Sequence, residues 1–286
     1  MKFKFTYAFA AILPAIVFMS CNRKENKDLD YLIQKENFKS AFTKRDKAPQ
    51  TYDSLETNQF VIKVEYPSSG LMLKGLLSRK NIDSGNRKPV MVYLHGGFAL
   101  GEQDVADCEY FTKKGYIVFA PSYRGENGND GFFELFLGEI DDAKAAIKWI
   151  SKQPFTDSTK IYVFGHSIGG GVSSMLSLEK DVPIAFCGSS GGIYDKEFYG
   201  WDEIIPFNKS IPMEGKMRVL IENVQSMQLN HYAFIGKEEM PVEKERKKLE
   251  DKAVNSKLKI LFIQGDHFSS LEGAMKNFVD IINASK

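Results

Sequence analysis

The chain has 286 residues, with 43% hydrophobic, 13% aromatic and 26% charged residues. This composition can bury a sizeable core, which excludes a disordered, fibrous or wholly membrane-spanning protein and allows one large domain. Lysine and arginine number 38 against 37 aspartate and glutamate residues, so the net charge of +1 provides no basic field for DNA or RNA. Nucleic acids are therefore not expected partners.

The first residues have the pattern of a secretory signal peptide. Lys2 and Lys4 precede an apolar, uncharged run at 5–19 that is shorter than the roughly 20 residues of a membrane-spanning helix. The sequence Phe-Met-Ser-Cys at 18–21 resembles the lipobox of bacterial lipoproteins, although a phenylalanine replaces the usual aliphatic residue. We predict a signal peptide at 1–20 and lipidation of Cys21, with ordinary secretion and an uncleaved anchor as alternatives.

Residues 21–58 are predicted to form a lipidated tether and an N-terminal helix. The charged stretch up to residue 30 is typical of a solvated linker, and 28–47 has helical composition. Cys108 and Cys187 are far apart in sequence, and no cysteine and histidine cluster has metal-ligand spacing. We expect two buried thiols and no metal.

Residues 59–286 alternate between strand-like and helix-like segments. Two strands at 60–66 and 71–77 are joined by a turn and predict a hairpin. Six apolar runs predict buried strands at 90–94, 116–120, 160–164, 182–187, 232–235 and 258–263. The helical segments between them imply right-handed crossovers, hence a mostly parallel sheet with helices on both faces and the hairpin at one edge. Ligands are expected at the carboxyl ends of the strands.

One connection is longer than a crossover requires. About 40 residues, at 188–230, separate two strands where a helix of roughly 10 to 15 residues would suffice. This stretch carries more apolar surface than a solvated loop, in Phe198, Tyr199, Trp201, Ile204, Ile205 and Phe207. We predict a lid insertion at about 191–230, with a helix pair that completes the core as an equal alternative.

A candidate nucleophile follows the strand at 160–164. The sequence Gly165-His166-Ser167-Ile168-Gly169 leads into a helix-like segment, and the two glycines relieve the crowding of a sharp strand-to-helix turn. Such a turn exposes the serine above the sheet. Ser167 is therefore the candidate nucleophile, and the Ile168 N–H is a candidate oxyanion donor.

The chain has four histidines that could activate this serine: His95, His166, His231 and His267. His166 lies beside the serine, His95 ends an earlier strand where its backbone is needed, and His231 begins a strand away from the site. His267 directly follows the last strand at its carboxyl end. His267 is therefore predicted as the base.

The carboxylate that orients the base is expected after the strand at 232–235. Glu238 and Glu239 compete for this role, and we favour Glu239 because it lies three residues after Gly236. Asp266 is excluded because it is adjacent to His267 in sequence.

The second oxyanion donor is expected after the strand at 90–94. His95-Gly96-Gly97-Phe98 follows it, and glycines let backbone amides approach a ligand closely. Gly97 or Phe98 is predicted to supply the N–H group, with Gly97 favoured.

Taken in order, these motifs resemble the α/β-hydrolase superfamily. The sequence Pro-Ser-Tyr-Arg-Gly-Glu-Asn-Gly at 121–128 and the hairpin are similar to the catalytic domain of the prolyl oligopeptidase (S9) family and to dienelactone-hydrolase-like esterases. The resemblance covers about 60–284 and implies an α/β-hydrolase fold with Ser167 as nucleophile, His267 as base and Glu239 as acid. The family's acid is usually aspartate. Its peptidases also carry a large N-terminal propeller, for which the roughly 40 residues between Cys21 and the hairpin are too few.

These features predict a serine hydrolase that cleaves a carboxylic ester through an acyl-enzyme and needs no cofactor. A single-domain serine peptidase is the alternative, and a non-catalytic binding lipoprotein is less favoured. The expected partner is a small-molecule ester or a short peptide. The lipobox resemblance implies an exported protein that touches a bacterial membrane, on its periplasmic or cell-surface side, through the lipid anchor alone.

Overall fold

The computed structural model of the protein describes residues 30–51, 54–82, 85–239 and 243–285. The predicted signal peptide at 1–20 and the predicted lipidation site, Cys21, lie outside these ranges. Within them, no helix has the length and apolar character needed to cross a membrane.

Eight strands form one sheet in the order β1-β2-β4-β3-β5-β6-β7-β8. The strands are β1 (Val61–Ser68), β2 (Leu71–Ser78), β3 (Lys88–Leu94), β4 (Ile117–Pro121), β5 (Thr156–His166), β6 (Cys187–Ser190), β7 (His231–Gly236) and β8 (Leu258–Ile263). The β1–β2 and β2–β4 pairs are antiparallel, and all other neighbours in this sheet are parallel. The predicted mostly parallel sheet with an edge hairpin is confirmed.

Helices cover both faces of the sheet. They are α1 (Tyr31–Asn37), α2 (Glu102–Lys113), α3 (Gly138–Ile150), α4 (Ile168–Leu176), α5 (Pro212–Lys216), α6 (Glu243–Ala253) and α7 (Leu271–Ala284). Alternate residues of β3 enter two separate cores, Val90 and Val92 with α3 and α4 on one face, Met91 and Tyr93 with α2 and α7 on the other. This alternation is the two-sided burial expected of a parallel sheet.

The N-terminal helix is shorter than predicted, because α1 ends at Asn37 rather than near residue 47. Residues 38–50, here called the N-terminal strap, contain no helix, and Phe42 forms an antiparallel bridge with Phe207 instead. The Thr43 N–H donates to the Pro206 carbonyl at 2.8 Å, and the Asn208 N–H donates to the Ala41 carbonyl at 3.0 Å. These long-range backbone bonds replace the local bonds that a helix would have made.

The strand predicted at 182–187 is also displaced, since β6 begins only at Cys187 and ends at Ser190. Cys187 and Cys108 are buried free thiols, as expected from the sequence. Because β6 continues to residue 190, its carboxyl end lies in register with His166, the last residue of β5.

The predicted lid insertion, 191–230, lies between β6 and β7. It contains α5 and two short 3-10 helices, Glu197–Gly200 and Val224–Ser226. Arg218 and Glu214 form a fully buried ion pair at 2.5 Å within it, and the Arg218 Nε donates to the Leu135 carbonyl at 2.8 Å. The insertion is thus packed on the core, and its action as a lid stays a prediction.

Candidate active site

A strained turn presents Ser167 at the carboxyl edge of the sheet. β5 ends at His166 and α4 begins at Ile168, so Ser167 alone joins them. Its backbone has φ of 53° and ψ of −115°, which is unfavourable for a residue with a side chain. The Ser167 N–H donates to the Ser190 carbonyl at 3.0 Å, which ties the turn to the end of β6.

The glycines on either side of Ser167 are required by close contact. A side-chain carbon at Gly165 would lie 2.0 Å from the Gly169 carbonyl oxygen, and one at Gly169 would lie 2.1 Å from the Leu94 carbonyl oxygen. Both distances are too short for any larger residue. The crowding that the two glycines predict at this turn is therefore present in the structure.

His267 and Glu239 are hydrogen-bonded to each other. The His267 Nδ1 lies 2.5 Å from the Glu239 Oε1, and the other carboxylate oxygen accepts the Gly236 N–H at 3.1 Å. The Glu239 side chain is 8% exposed and that of His267 is 30% exposed. The carboxylate is thus fixed on two sides, while the imidazole reaches the surface of the site.

The other two carboxylates considered from the sequence, those of Glu238 and Asp266, are bonded to groups other than His267. Glu238 is exposed and accepts a hydrogen bond from the Gln264 side chain. Asp266 accepts the Phe268 and Ser269 N–H groups at 3.0 and 2.8 Å. Of the three carboxylates considered from the sequence, Glu239 is the one that the structure brings to His267.

Ser190, the last residue of β6, and Gly191 contact both the serine turn and the histidine–carboxylate pair. Ser190 holds the Ser167 N–H, and a side-chain carbon at Gly191 would lie 2.6 Å from the His267 Nδ1 and 2.7 Å from the Glu239 Oε1. Two consecutive residues therefore touch the strained turn and the histidine–carboxylate pair. Ser167, His267 and Glu239 thus lie around the same two residues, Ser190 and Gly191.

His166 contributes a contact that the sequence analysis missed. Its Nε2 is 3.0 Å from the His267 carbonyl oxygen, and the two imidazole rings lie 4.9 Å apart. Burial lowers the pKa of His166, so the ring is neutral and donates from Nε2–H to that carbonyl. Its position next to Ser167 was the available signal, because both residues lie at the carboxyl edge of the sheet.

Arg246, at the start of α6, is a second residue of the site that was not identified from the sequence. Its Nη2 donates to the carbonyls of Gly236, Lys237 and Glu239, at 2.9, 3.3 and 2.6 Å. The guanidinium thereby stabilises the turn that carries Glu239. The sequence offered no signal for this contact, since an arginine in a charged helix resembles a solvated residue.

The loop after β3 is held by a buried histidine. The His95 Nε2 lies 3.1 Å from the Glu126 Oε2 and the Nδ1 lies 3.0 Å from the Gly96 carbonyl oxygen. Burial opposes a charge on His95, but the Glu126 carboxylate and its hydrogen bond outweigh burial and raise the pKa to about 9. His95 is therefore an imidazolium at neutral pH. Its role is structural, because a protonated imidazole cannot act as a base.

The two predicted donors, Gly97 and Phe98, directly follow Gly96, the residue of this loop that lies close to the serine. A side-chain carbon at Gly96 would be 3.6 Å from the Ser167 Cβ. The Phe98 N–H donates to the Gln50 Oε1 at 2.9 Å, whereas the Gly97 N–H has no acceptor among the residues that the structure describes. Gln50 is a further residue that the sequence analysis did not identify.

The other candidate histidine lies apart from this loop. His231 is buried at the start of β7 with its Nε2 2.6 Å from the Ser189 Oγ, and burial lowers its pKa to about 3. It is thus a neutral residue of the sheet interior.

Aromatic side chains and one cleft surround the site. The Phe98 ring packs edge-on against Phe133 and Trp201, at 5.3 and 6.0 Å between centroids. Phe268 is 75% exposed and lies edge-on to the His267 ring at 5.1 Å. A small cleft of about 40 Å³ adjoins Glu239, and its lining combines Ile221, Ile235 and Leu249 with charged side chains. No group of three potential metal ligands occurs in the described ranges of the chain.

Comparisons with known proteins identify a family and a curated relative of this chain. The family model of X-Pro dipeptidyl-peptidase (S15 family) matches residues 10–259. An uncharacterized peptidase of Bacillus subtilis, YtmA, is 33% identical over 132 residues, which are 46% of this chain and 50% of that protein. The chain thus spans half the length of this curated relative.

Two solved structures share the fold. The esterase Pf2001 of Pyrococcus furiosus has a TM-score of 0.63 and 19% identity, over 84% of this chain and 96% of the esterase. Dipeptidyl peptidase 4 of Porphyromonas gingivalis has a TM-score of 0.60 and 19% identity, over 72% of this chain and 32% of the peptidase.

Proposed function

This chain belongs to the X-Pro dipeptidyl-peptidase (S15) family and is a serine hydrolase of the α/β-hydrolase fold, and we propose that Ser167, His267 and Glu239 form its catalytic triad. The observation that carries the proposal is the hydrogen bond between His267 and Glu239 at the segment that also holds the Ser167 turn. A serine on a strained turn, a base and a buried carboxylate are the parts that acyl transfer to water requires.

The reaction proceeds through an acyl-enzyme. The Ser167 Oγ attacks the substrate carbonyl while the His267 Nε2 accepts the serine proton, and Glu239 stabilises the resulting imidazolium through Nδ1–H. The Ile168 N–H and a loop N–H stabilise the oxyanion. His267 then protonates the leaving group, and a water molecule that it deprotonates releases the acid and restores Ser167.

A small carboxylic ester with an apolar acyl group is the proposed substrate. The Phe98, Phe133 and Trp201 rings pack together next to the candidate oxyanion loop, and an apolar acyl group would be stabilised by removing such surfaces from water. The likeness to a solved esterase over most of its length supports this choice.

A second candidate is the hydrolysis of short peptides, because the family that the chain belongs to is named for an X-Pro dipeptidyl-peptidase and the Bacillus relative is named a peptidase. The two candidates share the triad and differ only in the leaving group and in what binds it.

The test compares the two substrate classes with one catalytic variant. We expect the wild-type protein to hydrolyse short p-nitrophenyl esters faster than X-Pro p-nitroanilides, and Ser167→Ala to lower kcat by at least about 1,000-fold on either. Ser210→Ala, at an exposed position of the lid insertion, is the matched control and keeps full activity. A Ser167→Ala protein within a few-fold of wild type would refute the mechanism, and faster anilide cleavage would favour the peptidase.

We also infer from residues 1–21 that the protein is exported and lipid-anchored to a bacterial membrane at Cys21, facing the periplasm or the cell surface. The supporting features are the charged start, the apolar run and the small residue before the cysteine.

A further inference from the structure

We propose that Gln50 of the N-terminal strap is a positioning residue for the oxyanion loop. Its side chain fixes the Gly97–Phe98 turn by accepting the Phe98 N–H. The Gly97 N–H is then the loop's donor to the oxyanion that forms at Ser167. This inference rests on the function proposed above and assigns a part of the site to a segment that precedes the sheet.

The strap backbone is held firmly just ahead of Gln50. The Ala48 N–H donates to the Gly125 carbonyl at 3.1 Å, and the Phe133 N–H donates to the Asp46 carbonyl at 2.9 Å. Both partners lie on the segment between β4 and α3. Gln50 therefore approaches the loop from a fixed direction, two residues after an anchored amide.

The contact between Gln50 and the loop is built for this side chain. Because the donor is the Phe98 backbone N–H, the carboxamide must present its oxygen. A side-chain carbon at Gly97 would lie 2.5 Å from the Gln50 Oε1. The glutamine oxygen thus occupies space that is open only because residue 97 is glycine.

The Gly97 turn needs an external restraint. Its φ is +64°, and glycine passes readily between backbone conformations. An oxyanion donor must nevertheless lie within about 2.7–3.1 Å of the developing charge. Gln50 supplies the restraint by holding the next amide, and the Gly97 N–H has no competing acceptor in the described structure.

If Gln50 blocked the loop instead of positioning it, its replacement would change kcat in the opposite direction. If the Gln50 oxygen stood where the substrate oxygen binds, it would block the Phe98 N–H, and its removal would raise kcat. The sign of the change in kcat therefore separates positioning from blocking.

The experiment uses the full-length protein with Gln50→Met, which keeps the side-chain length and removes the acceptor. We expect kcat for a p-nitrophenyl ester to fall roughly 10–100-fold, with KM within about threefold of wild type. The inhibition constant of an alkyl boronic acid, which mimics the tetrahedral intermediate, should rise by the same factor as kcat falls. Gln103→Met on exposed α2 is the matched control and leaves both values unchanged.

A kcat that is unchanged or raised, or a boronic acid that binds as before, would overturn the positioning role. Gln50→Asn is the second variant, to be used if Gln50→Met does not fold. It keeps the carboxamide but withdraws its oxygen from the loop, and we expect the same losses of kcat and of boronic acid affinity. A wild-type protein that neither turns over the ester nor reacts with a fluorophosphonate would instead contradict the proposed function. The two failures are thus distinguishable.

Discussion

At the scale of single residues, Glu238 and Glu239 show how one position in a turn decides between a solvated and a buried carboxylate. Glu239 receives the Gly236 N–H and contacts His267, whereas Glu238 lies exposed beside Gln264. Only the first is placed to hold the imidazole in one tautomer and to stabilise its charge.

We therefore expect Glu239→Gln to lower kcat by about 10⁴, the loss seen when the acid of a comparable triad is replaced by its amide. Glu238→Gln is the matched control and should stay within about twofold of wild type, because its carboxylate faces solvent. Steady-state kinetics with a p-nitrophenyl ester measures both. The reverse ranking would assign the acid to Glu238.

At the scale of elements, the loops that follow β3 and β4 are joined by the buried pair of His95 and Glu126. Glu126 also accepts the Tyr123 N–H at 2.9 Å, and the Gly96 N–H donates to Asp104 at 3.1 Å. A charged pair in this position links the oxyanion loop to its neighbour and makes the link dependent on pH.

The pKa of His95 is about 9 in the folded protein and about 6.5 in an unfolded chain. Because the folded state binds this proton more tightly, its stabilisation is complete below pH 6.5 and is lost as pH rises through 9. We expect the difference in unfolding free energy between wild type and His95→Asn to shrink by about 3 kcal/mol over that interval. Urea unfolding at several pH values measures it, and a constant difference would show that His95 is neutral.

Elements set by local chemistry were predictable, and elements set by distant partners were not. The turn at Ser167 is predictable from the glycine spacing together with the strand before it and the helix after it, all of which are local in sequence. The non-helical strap is not, since its conformation depends on backbone bonds to residues 206 and 208, far away in sequence. For the same reason the roles of Gln50 and Arg246 could not be predicted, because their partners are backbone atoms that no side-chain pattern reveals.

At the scale of the whole molecule, the strap and α1 connect the sheet to the chain that precedes residue 30. Tyr31 is fully buried in the core of one face, so α1 is packed on the sheet domain. The predicted tether between Cys21 and this point is short, and a lipid on Cys21 would hold the catalytic domain close to a bilayer.

We expect Cys21→Ser to abolish labelling by a fatty-acid analogue and to move the protein from the membrane to the soluble exported fraction. Two or more acyl chains bind a bilayer strongly, at about 0.8 kcal/mol per buried methylene. Cys108→Ala, which removes a buried thiol, is the control and keeps the label. A Cys21→Ser protein that stays in the membrane at unchanged mass would identify the apolar run at 5–19 as an uncleaved anchor.

The contacts of the strap limit which parts of this chain could be replaced by recombination. A recombination event that replaced everything before the first strand would remove Gln50 and the backbone partners of Pro206 and Asn208 along with the tether. We therefore expect an exchange of this kind to succeed only if the strap is transferred together with the sheet. An insertion upstream of α1 would leave these contacts of the strap unchanged, and in a protein anchored at Cys21 it would lengthen only the predicted tether.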